Sequence, residues 1–546
     1  MLRLWFRIEI TKNRDMGEGV QCVFWRDNAV KKPLTLCISV NAVVMVLLSL
    51  YALLIPAAML ICDIQDPGLY SNEMPCCAFR WHRALSPRYE RWARQRVESG
   101  TAAKLTTENI SGTEWPVFGS VFYLWATEAL QRAFHENPTL APSSPRSYAR
   151  GAIEAAAALV ADPNHANWVK DHWGDAYLQK ENLFYRMLLI SGLTSYQKLT
   201  GQSRYEALLR SQVESLSREL DESPYSLLDD YPGQCYPVDI LPAIAAIRRA
   251  DAVLGTDHAA FAARAVRGFQ ESRLDDDTGL PAYMVDSRTG RAKDSARGVG
   301  LSFMLIWAPE LWPDVAGDWY AKYERQFWLQ GRWLAGFREY PKDVDVRWLT
   351  FNDVDAGPVV GGYGAAACAF GIGAARAMGR FDHAYPLAAQ ALVGAWPLPD
   401  GTLLGPRVLS NLSDAPYLGE AAVLFALTRR PILTGVTAAR GDLPWLVYAG
   451  ILLGLSLGAY EAFAALRKAR RWHKRKARLS APFAAAQIVL WCALIVCSLL
   501  SWFLLSVPIG LILLLATQLV PFGLREPKPQ IQPPDAPTAS RPALDR

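Results

Sequence analysis

The sequence predicts an all-α protein in which an α/α toroid, a barrel of helical hairpins, is flanked by transmembrane helices. Three observations support this prediction. Apolar residues recur at helical spacing through most of the chain, alternating strand-like runs are scarce, and long uncharged segments lie towards both ends. The chain has 546 residues and a net charge of +5. It is therefore long enough for one large domain or two ordinary ones, and its charge favours no class of ligand.

The first predicted membrane helix covers residues 34–62. Residues 33–62 include no charged side chain, and this run is longer than the roughly 20 apolar residues that a spanning helix needs. A cleaved signal peptide is the alternative, but the run is long and starts far from the N-terminus. Residues 1–33 are then a cytoplasmic N-terminal segment.

Two more apolar runs follow the central region. Residues 443–466 carry only Glu461, and residues 483–524 carry no charge. The second run is long enough for a transmembrane hairpin over 481–524 that turns near Pro508, although one long kinked helix is the alternative. The sequence therefore predicts three or four membrane helices, and residues 525–546 are expected to form a disordered tail.

Basic residues predict the orientation in the membrane. The loop 467–480 and the segment before the first helix are rich in Arg and Lys, which favours the cytoplasm. Residues 63–442 should then lie in the periplasm, and the chain should be a multi-pass protein of a bacterial inner membrane. Topology and contact with membrane lipid explain these basic residues, so we expect no nucleic-acid partner.

Residues 63–442 are predicted to be helical throughout. Eleven stretches have apolar residues at helical spacing: 117–134, 149–160, 178–199, 205–220, 237–254, 259–269, 299–307, 319–328, 359–378, 385–395 and 418–427. Gly201, Gly255 and Gly379 fit left-handed C-cap positions and are followed by another helix within a few residues. Such repeated hairpins form either an open solenoid or a closed toroid, and loops that differ from one another favour the toroid.

The segment FNDVDAGPVVGGYGAAACAFGIGAARAMG, residues 351–379, contains the first candidate acids. Asp353 and Asp355 precede Pro358, which suits a first helical turn. Either both carboxylates only cap that helix, or one caps it while the other points into a cavity. Burial in the cavity would raise the pKa of that carboxyl group and would suit it to act as a general acid or base. Tyr363 would lie nearby. A GxGxxA pattern follows, but a dinucleotide site needs it between a strand and a helix, which this context does not offer.

The segment DDYPGQCYPVDIL, residues 229–241, provides a second group. Asp239, one turn into a helix that starts at Pro237, would face the cavity or favour the helix dipole. Cys235 would be a nucleophile or an inert thiol. The candidate catalytic residues are Asp353, Asp355, Asp239, Glu181, Cys235, Tyr236 and Tyr363. The candidate substrate-binding residues are Arg297, Glu114, Trp115, Trp348 and Tyr185.

No metal or cofactor motif is present in the sequence. Nine cysteines do not make a disulfide framework in a chain of this length, and CxxC spacing is absent. Whether any disulfide joins Cys76, Cys77, Cys235 or Cys368 is left open by the sequence.

Two of the segments resemble a known family. The helix–turn–helix of residues 181–206, followed by the turn PGQCYP at 232–237, resembles the linalool dehydratase/isomerase-like group of α/α barrel proteins. That resemblance implies acid–base addition or removal of water at an allylic alcohol, with acids, tyrosines and cysteines lining the barrel. Only Cys235 falls in the comparable turn. The predicted toroid is also similar in fold to six-hairpin glycosidases, lyases and epimerases.

The sequence therefore predicts a membrane-anchored acid–base enzyme, a hydrolase or a lyase, that acts on an exported glycan or on a lipid-linked, isoprenoid-type substrate. The alternative is a non-catalytic protein that binds or assembles other envelope proteins, or further copies of itself, on the toroid surface. An enzyme should have an open polar cavity with at least one carboxyl of raised pKa. A binding protein should use the acids as caps and fill the cavity with aromatic side chains.

Overall fold

The computed structural model describes residues 28–474, apart from 107, 272–273, 352–354, 414 and 433–435, together with 493–494 and 496–498. These residues are mostly helical, which confirms the all-α prediction. They divide into two compact units, a larger one of residues 51–457 and a smaller one drawn from residues 1–50 and 458–546.

Helices account for most of the described chain. The α-helices are α1 (Asn28–Ser49), α2 (Ile55–Ile64), α3 (Cys76–Glu98), α4 (Ile110–Glu136), α5 (Pro145–Tyr148), α6 (Arg150–Val160), α7 (Asn167–Trp173), α8 (Leu183–Thr200), α9 (Glu206–Glu222), α10 (Pro237–Leu254), α11 (Ala259–Glu271), α12 (Gly298–Leu311), α13 (Pro313–Phe327), α14 (Ala365–Ala377), α15 (Phe381–Ala395), α16 (Leu404–Leu412), α17 (Leu418–Leu427) and α18 (Trp445–Lys474). A π-helical turn, Leu50–Leu54, joins α1 to α2. Short 3-10 helices cover Pro67–Leu69, Thr101–Lys104, Pro138–Leu140, Pro163–Ala166 and Gly174–Ala176.

Six helices of the larger unit, which we call the core helices, pack against one another in chain order. Helix α4 packs against α8, α8 against α10, α10 against α12, α12 against α14, α14 against α17, and α17 against α4. The helices between them in sequence cover them: α6 packs against α4 and α8, α9 against α8 and α10, α13 against α12, and α15 against α14. The series of contacts therefore begins and ends at α4.

Hydrogen bonds between neighbouring core helices join C-terminal halves to each other and N-terminal turns to each other. Near the C-termini, Ser195 of α8 donates to Glu128 of α4 over 2.9 Å. Near the N-termini, Ser302 of α12 donates to the carbonyl of Ala367 in α14 over 2.8 Å. Such pairs require these neighbouring helices to run in the same direction. The loops before the core helices are consequently gathered at one end of the unit.

Aromatic side chains fill the space between the core helices. The ring of Trp125 in α4 lies 4.6 Å from that of Trp307 in α12 and 5.1 Å from that of Phe425 in α17, measured between centroids. Trp307 is almost fully buried. Large buried rings contribute most of the apolar area of such a core, so this layer separates the two ends of the unit.

Five short strands lie beside the helices. They are β1 (Trp328–Gln330), β2 (Ala335–Phe337), β3 (Leu349–Phe351), β4 (Pro358–Val360) and β5 (Tyr363–Gly364). Strands β1 and β2 form an antiparallel pair, and β3, β4 and β5 form an antiparallel sheet in that order.

The prediction of one helix over 359–378 was wrong at its beginning. Gly361 and Gly362 have φ angles of +59° and +88°, so they form a tight turn between β4 and β5, and α14 starts only at Ala365. Pro358 lies in β4. The expectation that Asp355 caps a helix starting at Pro358 is therefore wrong, because the N-cap of α14 is Gly364.

Other sequence predictions agree closely with the structure. The predicted helices 237–254 and 418–427 have the bounds of α10 and α17. The left-handed conformations expected at Gly201, Gly255 and Gly379 are confirmed by φ angles of +69°, +68° and +71°. Helix α3 lies outside the eleven predicted stretches, because many arginines interrupt its apolar residues.

Two helical stretches, Ile38–Ile64 and Trp445–Arg471, are long and apolar enough to cross a membrane, with mean hydropathy of 2.5 and 1.6. They overlap the spans predicted over 34–62 and 443–466. Within the smaller unit, Ala42 and Met45 of α1 pack against Ala465 of α18. The hairpin predicted over 481–524 lies almost entirely outside the described residues, and residues 1–27 and 525–546 lie wholly outside them.

Candidate functional site

Four carboxyl groups lie together at the end of the larger unit where the core helices begin. Glu114, Asp230, Asp239 and Asp355 are close enough to affect one another's ionisation. We call these four residues the carboxylate cluster. They come from α4, from the turn before α10, from α10 itself and from the segment between β3 and β4. Three of them, Glu114, Asp239 and Asp355, were predicted as site residues.

Asp230 joins the beginnings of two core helices. One of its carboxyl oxygens accepts a hydrogen bond from the backbone N–H of Phe184 in α8 over 2.8 Å, and the other accepts from the N–H of Tyr236 over 3.1 Å. Asp230 is 2% exposed, and burial raises its pKa well above the ordinary value for Asp, although these two bonds oppose that change. These two hydrogen bonds hold the turn between Asp230 and Tyr236, which carries Tyr231 and leads into α10.

Glu114 is buried in the second turn of α4 beside Tyr231. The Tyr231 hydroxyl donates to Glu114 Oε1 over 2.5 Å. Burial raises the pKa of Glu114 to about 7, and Asp355 adds to this change while the Tyr231 bond opposes it. Burial together with Glu114 raises the pKa of Tyr231, so its hydroxyl keeps the proton that it donates. Near neutral pH, Glu114 therefore exchanges between its acid and its base form, as proton-transfer groups do.

Asp239 is the member of the cluster best placed to meet a ligand. Burial, followed by the charges of Asp230, Asp355 and Glu114, raises its pKa well above the ordinary value for Asp. Its side chain nevertheless keeps partial exposure to solvent. Among the described residues no hydrogen bond satisfies its carboxyl group. A recessed but accessible carboxyl group with a raised pKa is the arrangement that a general acid needs.

Two tyrosines flank the exposed side of the cluster. Asp355 is solvent-exposed and accepts a hydrogen bond from the Tyr283 hydroxyl over 3.1 Å. The ring of Tyr283 lies 5.5 Å from the ring of Tyr236, and the Tyr236 hydroxyl donates to Gln234 over 2.9 Å. The cluster therefore presents the carboxyl groups of Asp239 and Asp355 and the half-buried ring of Tyr236 towards solvent, whereas the ring of Tyr283 is buried.

A buried ion pair between Arg297 and Glu339 packs against the ring of Tyr283. Arg297 Nε lies 2.9 Å from Glu339 Oε1, and the side chains are only 6% and 0% exposed. The other Glu339 oxygen accepts from the N–H of Val299 over 3.2 Å. The Arg297 guanidinium stacks on the Tyr283 ring at 4.4 Å. Arg297 was predicted as a substrate-binding residue, and its charge is compensated by Glu339 at a site directly behind the cluster.

Several other predicted residues lie around the cluster rather than in it. Cys235 is buried in the turn between Asp230 and Asp239, and its carbonyl accepts from Val285 N–H over 2.9 Å. Glu181 precedes α8 instead of lying on it, because its φ angle is +42° and the helix starts at Leu183. The prediction of a helix from residue 178 was therefore wrong. Burial and the charge of Asp229 raise the pKa of Glu181.

The remaining predicted residues have varied surroundings. The Tyr363 hydroxyl donates to the carbonyl of Leu334 over 3.1 Å, Tyr185 is buried against Trp168, Trp115 is half-buried, and Trp348 is 73% exposed. Asp353 lies outside the described residues.

Sequence reasoning missed four residues of this region, namely Asp230, Tyr231, Tyr283 and Glu339. The first two belong to the acidic turn that the sequence analysis singled out, so the density of acids and tyrosines there was a usable signal. Tyr283 and Glu339 come from loops with no local motif, and only the fold brings them to the cluster.

The opposite end of the core helices carries a compensated set of charges. Glu128 lies fourteen residues after Glu114 in α4, roughly 21 Å along the helix. Although burial acts to raise the pKa of Glu128, Lys198 and Arg249 lower it to about 2. The enclosed space beside Arg249 and Trp307 measures about 10 Å³, room for about one water molecule. Paired charges and so little space indicate a structural role at this end.

Among the described residues, no group of three or more His, Cys, Asp or Glu side chains is arranged to hold a metal ion. In the same part of the chain, no disulfide joins Cys76, Cys77, Cys235 or Cys368. Comparison of the chain with protein-family models and with curated proteins finds no match. The functional argument therefore rests on the carboxylate cluster itself.

The raised pKa of Glu114 predicts how stability depends on pH. The pKa is about 7 in the folded protein against an ordinary value of 4.5, so the folded state holds the proton more tightly than the unfolded chain. This contribution to stability is fully present below pH 4.5 and is lost as the pH rises to about 7. The difference corresponds to about 3 kcal/mol. Thermal unfolding of Glu114→Gln, measured from pH 4 to 8 in detergent, should lack this part of the pH dependence.

Glu98→Gln is the matched control, because Glu98 is an exposed glutamate near the end of α3. Its unfolding midpoints should follow those of the wild-type protein at every pH. If Glu114→Gln also follows the wild-type curve, Glu114 does not hold its proton as described.

Proposed function

We propose that this chain is a membrane-anchored acid–base enzyme whose carboxylate cluster acts on an exported glycan or a lipid-linked, isoprenoid-type substrate. The observation that carries the proposal is the presence of two carboxyls with raised pKa, Glu114 and Asp239, in one partly accessible cluster. Proton-transfer residues depend on such shifts, and among the described residues no cation is paired with Glu114 or Asp239 to hold either carboxyl ionised. The reaction is a hydrolysis or an elimination of water.

The roles follow from the surroundings of each carboxyl. Asp239 keeps its proton near neutral pH and donates it to a leaving oxygen. Asp355, exposed and hydrogen-bonded by Tyr283, accepts a proton from water or from a carbon next to the leaving group. Glu114 exchanges protons with Asp239 and Asp355, because its pKa is about 7. The half-buried ring of Tyr236, which packs against Tyr283, provides a surface for a sugar ring or an apolar chain.

The contacts among the core helices support an α/α toroid. Because α17 returns to pack against α4, the six helices are consistent with a closed barrel whose mouth is formed by the loops around the cluster. This is the arrangement that the resemblance to linalool dehydratase/isomerase-like proteins implies.

Membrane anchoring is supported by the two apolar helical stretches and by the basic residues of the sequence. The two stretches are each 27 residues long. The basic loop at 467–480 favours the cytoplasm, which would place the larger unit in the periplasm of a bacterial cell. A substrate of this enzyme would then be met outside the cytoplasm.

Conversion of an envelope extract tests the proposal. The full chain is reconstituted in lipid vesicles and incubated with total lipids and glycans from bacterial envelopes, and the mixture is compared before and after by mass spectrometry. The double variant Glu114→Gln, Asp239→Asn is the control. We expect a product that forms with the wild-type chain alone. Retention of one component without any conversion would contradict the proposal and favour an envelope binding or assembly protein.

A further inference from the structure

Four large apolar side chains lie exposed on the segment that enters the β3–β4–β5 sheet. Val344, Trp348, Leu349 and Phe351 are 41%, 73%, 47% and 72% exposed. We call these four residues the apolar edge. Apolar groups of this size gathered on one short segment mark a surface that binds another apolar body.

The apolar edge is tied directly to the carboxylate cluster. The carbonyl of Trp348 accepts a hydrogen bond from the N–H of Gly361 over 2.7 Å, and β3 pairs with β4. Asp355 lies on the connection between these two strands and is held by Tyr283. Whatever the apolar edge binds is therefore brought next to the cluster.

Both connections that link the larger unit to the rest of the chain reach the same end of that unit. Helix α15 runs back along α14, so Trp396, directly after α15, lies at the end where α14 begins. Trp396 Nε1 donates to the carbonyl of Ala52 over 2.7 Å, and Gly454 packs against the Trp396 ring. Ala52 and Gly454 both belong to stretches that can cross a membrane.

A further pair of tryptophans is exposed where one of these stretches begins. The ring of Trp445, its first residue, lies 5.4 Å from that of Trp333, and the two are 47% and 57% exposed. The N–H of Trp445 donates to the carbonyl of Arg332 over 2.9 Å. The next residue after Trp333 is Leu334, whose carbonyl binds Tyr363 of β5. Tryptophan is enriched at membrane–water interfaces, where its ring lies among the lipid headgroups.

We propose that the apolar edge inserts into the boundary between headgroups and acyl chains of the lipid bilayer. The occupant is lipid because Ala52 and Gly454, which belong to the two apolar stretches, lie at the end of the larger unit where the cluster opens, and because exposed tryptophans mark an interface there. Insertion would place the carboxylate cluster within reach of amphiphilic molecules in the membrane. The inference rests on the membrane anchoring in the proposed function but not on any catalysis.

Photo-crosslinking to lipid tests this proposal. The photoreactive amino acid benzoylphenylalanine replaces Trp348 or, in a second variant, Phe351. The full chain is reconstituted in vesicles of phosphatidylcholine and phosphatidylglycerol and irradiated. Arg204, exposed in the turn after α8 at the opposite end of the core helices, is the control position. We expect lipid adducts at positions 348 and 351 by mass spectrometry, and none above background at 204.

Three results would overturn the inference. Adducts between two copies of the chain would show that the apolar edge is a contact between copies, and adducts within one chain would show that another segment covers it. A lack of adducts at both positions would show that it faces water. No step of this experiment depends on turnover. Lipid adducts in a preparation without catalytic activity would therefore support membrane insertion and would contradict only the proposed enzymatic function.

A second measurement avoids the photoreactive residue. Vesicles with acyl chains brominated near the headgroups quench tryptophan fluorescence at short range. Trp348→Phe should lose part of the quenchable fluorescence of the wild-type chain, because Trp348 is 73% exposed at the proposed boundary. An equal quenched intensity in both proteins would overturn the inference even if the crosslinking variants misfold.

Discussion

Asp239→Asn should lower turnover by about 10²–10⁴-fold, the contribution that a positioned general acid makes. Asparagine has nearly the shape of aspartic acid but cannot donate the proton to a leaving group. Its effect on folding should be small, because burial and three neighbouring carboxyls already disfavour the charged form of Asp239. We therefore expect an unchanged or higher midpoint of thermal unfolding together with the loss of kcat, measured on the substrate found in the envelope extract.

Asp276→Asn is the matched control, since Asp276 is an exposed aspartate in the turn that follows α11. It should keep both the turnover and the midpoint of the wild-type chain. Asp239→Asn with full turnover would remove Asp239 from the mechanism, and a loss of turnover accompanied by early unfolding would indicate a structural role instead.

Glu339→Ala should destabilise the larger unit by about 3–5 kcal/mol, the usual effect of removing one partner from a buried ion pair. Glu339 is fully buried, pairs with Arg297 over 2.9 Å and accepts a hydrogen bond from the start of α12. Without it, the Arg297 charge stays buried with its main partner gone. The measurement is denaturant unfolding of the full chain in detergent, followed by circular dichroism.

The double variant Arg297→Leu, Glu339→Leu separates the charge effect from packing. Removing both partners relieves the uncompensated charge, so the double variant should be more stable than Glu339→Ala. Glu98→Ala, at an exposed site, should change the free energy of unfolding little. A loss below about 1 kcal/mol in Glu339→Ala would match an exposed ion pair and contradict the support that we assign to this one.

The helices were predictable because their apolar faces repeat locally. The bounds of α10 and α17 follow from Pro237 at the start of one, Gly255 after its end, and an unbroken apolar pattern in both. The start of α14 was not predictable in this way, since Gly361 and Gly362 form a turn between two strands that pair only in the folded chain. Local composition could not distinguish this turn from a small-residue helix.

The candidate site was predictable only in part. Asp239 and Asp355 were selected because each lies close to a predicted helix start, and Glu114 was selected as a polar residue that could reach a cavity mouth. The fold brings all three together. Tyr231 and Asp230 belong to a turn that had been noticed. Tyr283 and Glu339 could not be selected, because their importance comes from contacts with Asp355 and Arg297, which are distant in sequence.

The central claim is that the carboxylate cluster holds a proton at neutral pH, and infrared spectroscopy tests it most directly. Difference spectra between the wild-type chain and Asp239→Asn at pH 7 report the C=O stretch of a protonated carboxylic acid, which an ionised carboxylate lacks. The raised pKa of Asp239 predicts such a band in the wild-type chain and its loss in the variant. Identical spectra in this region would show that Asp239 is ionised at pH 7 and would contradict the proposed acid–base centre.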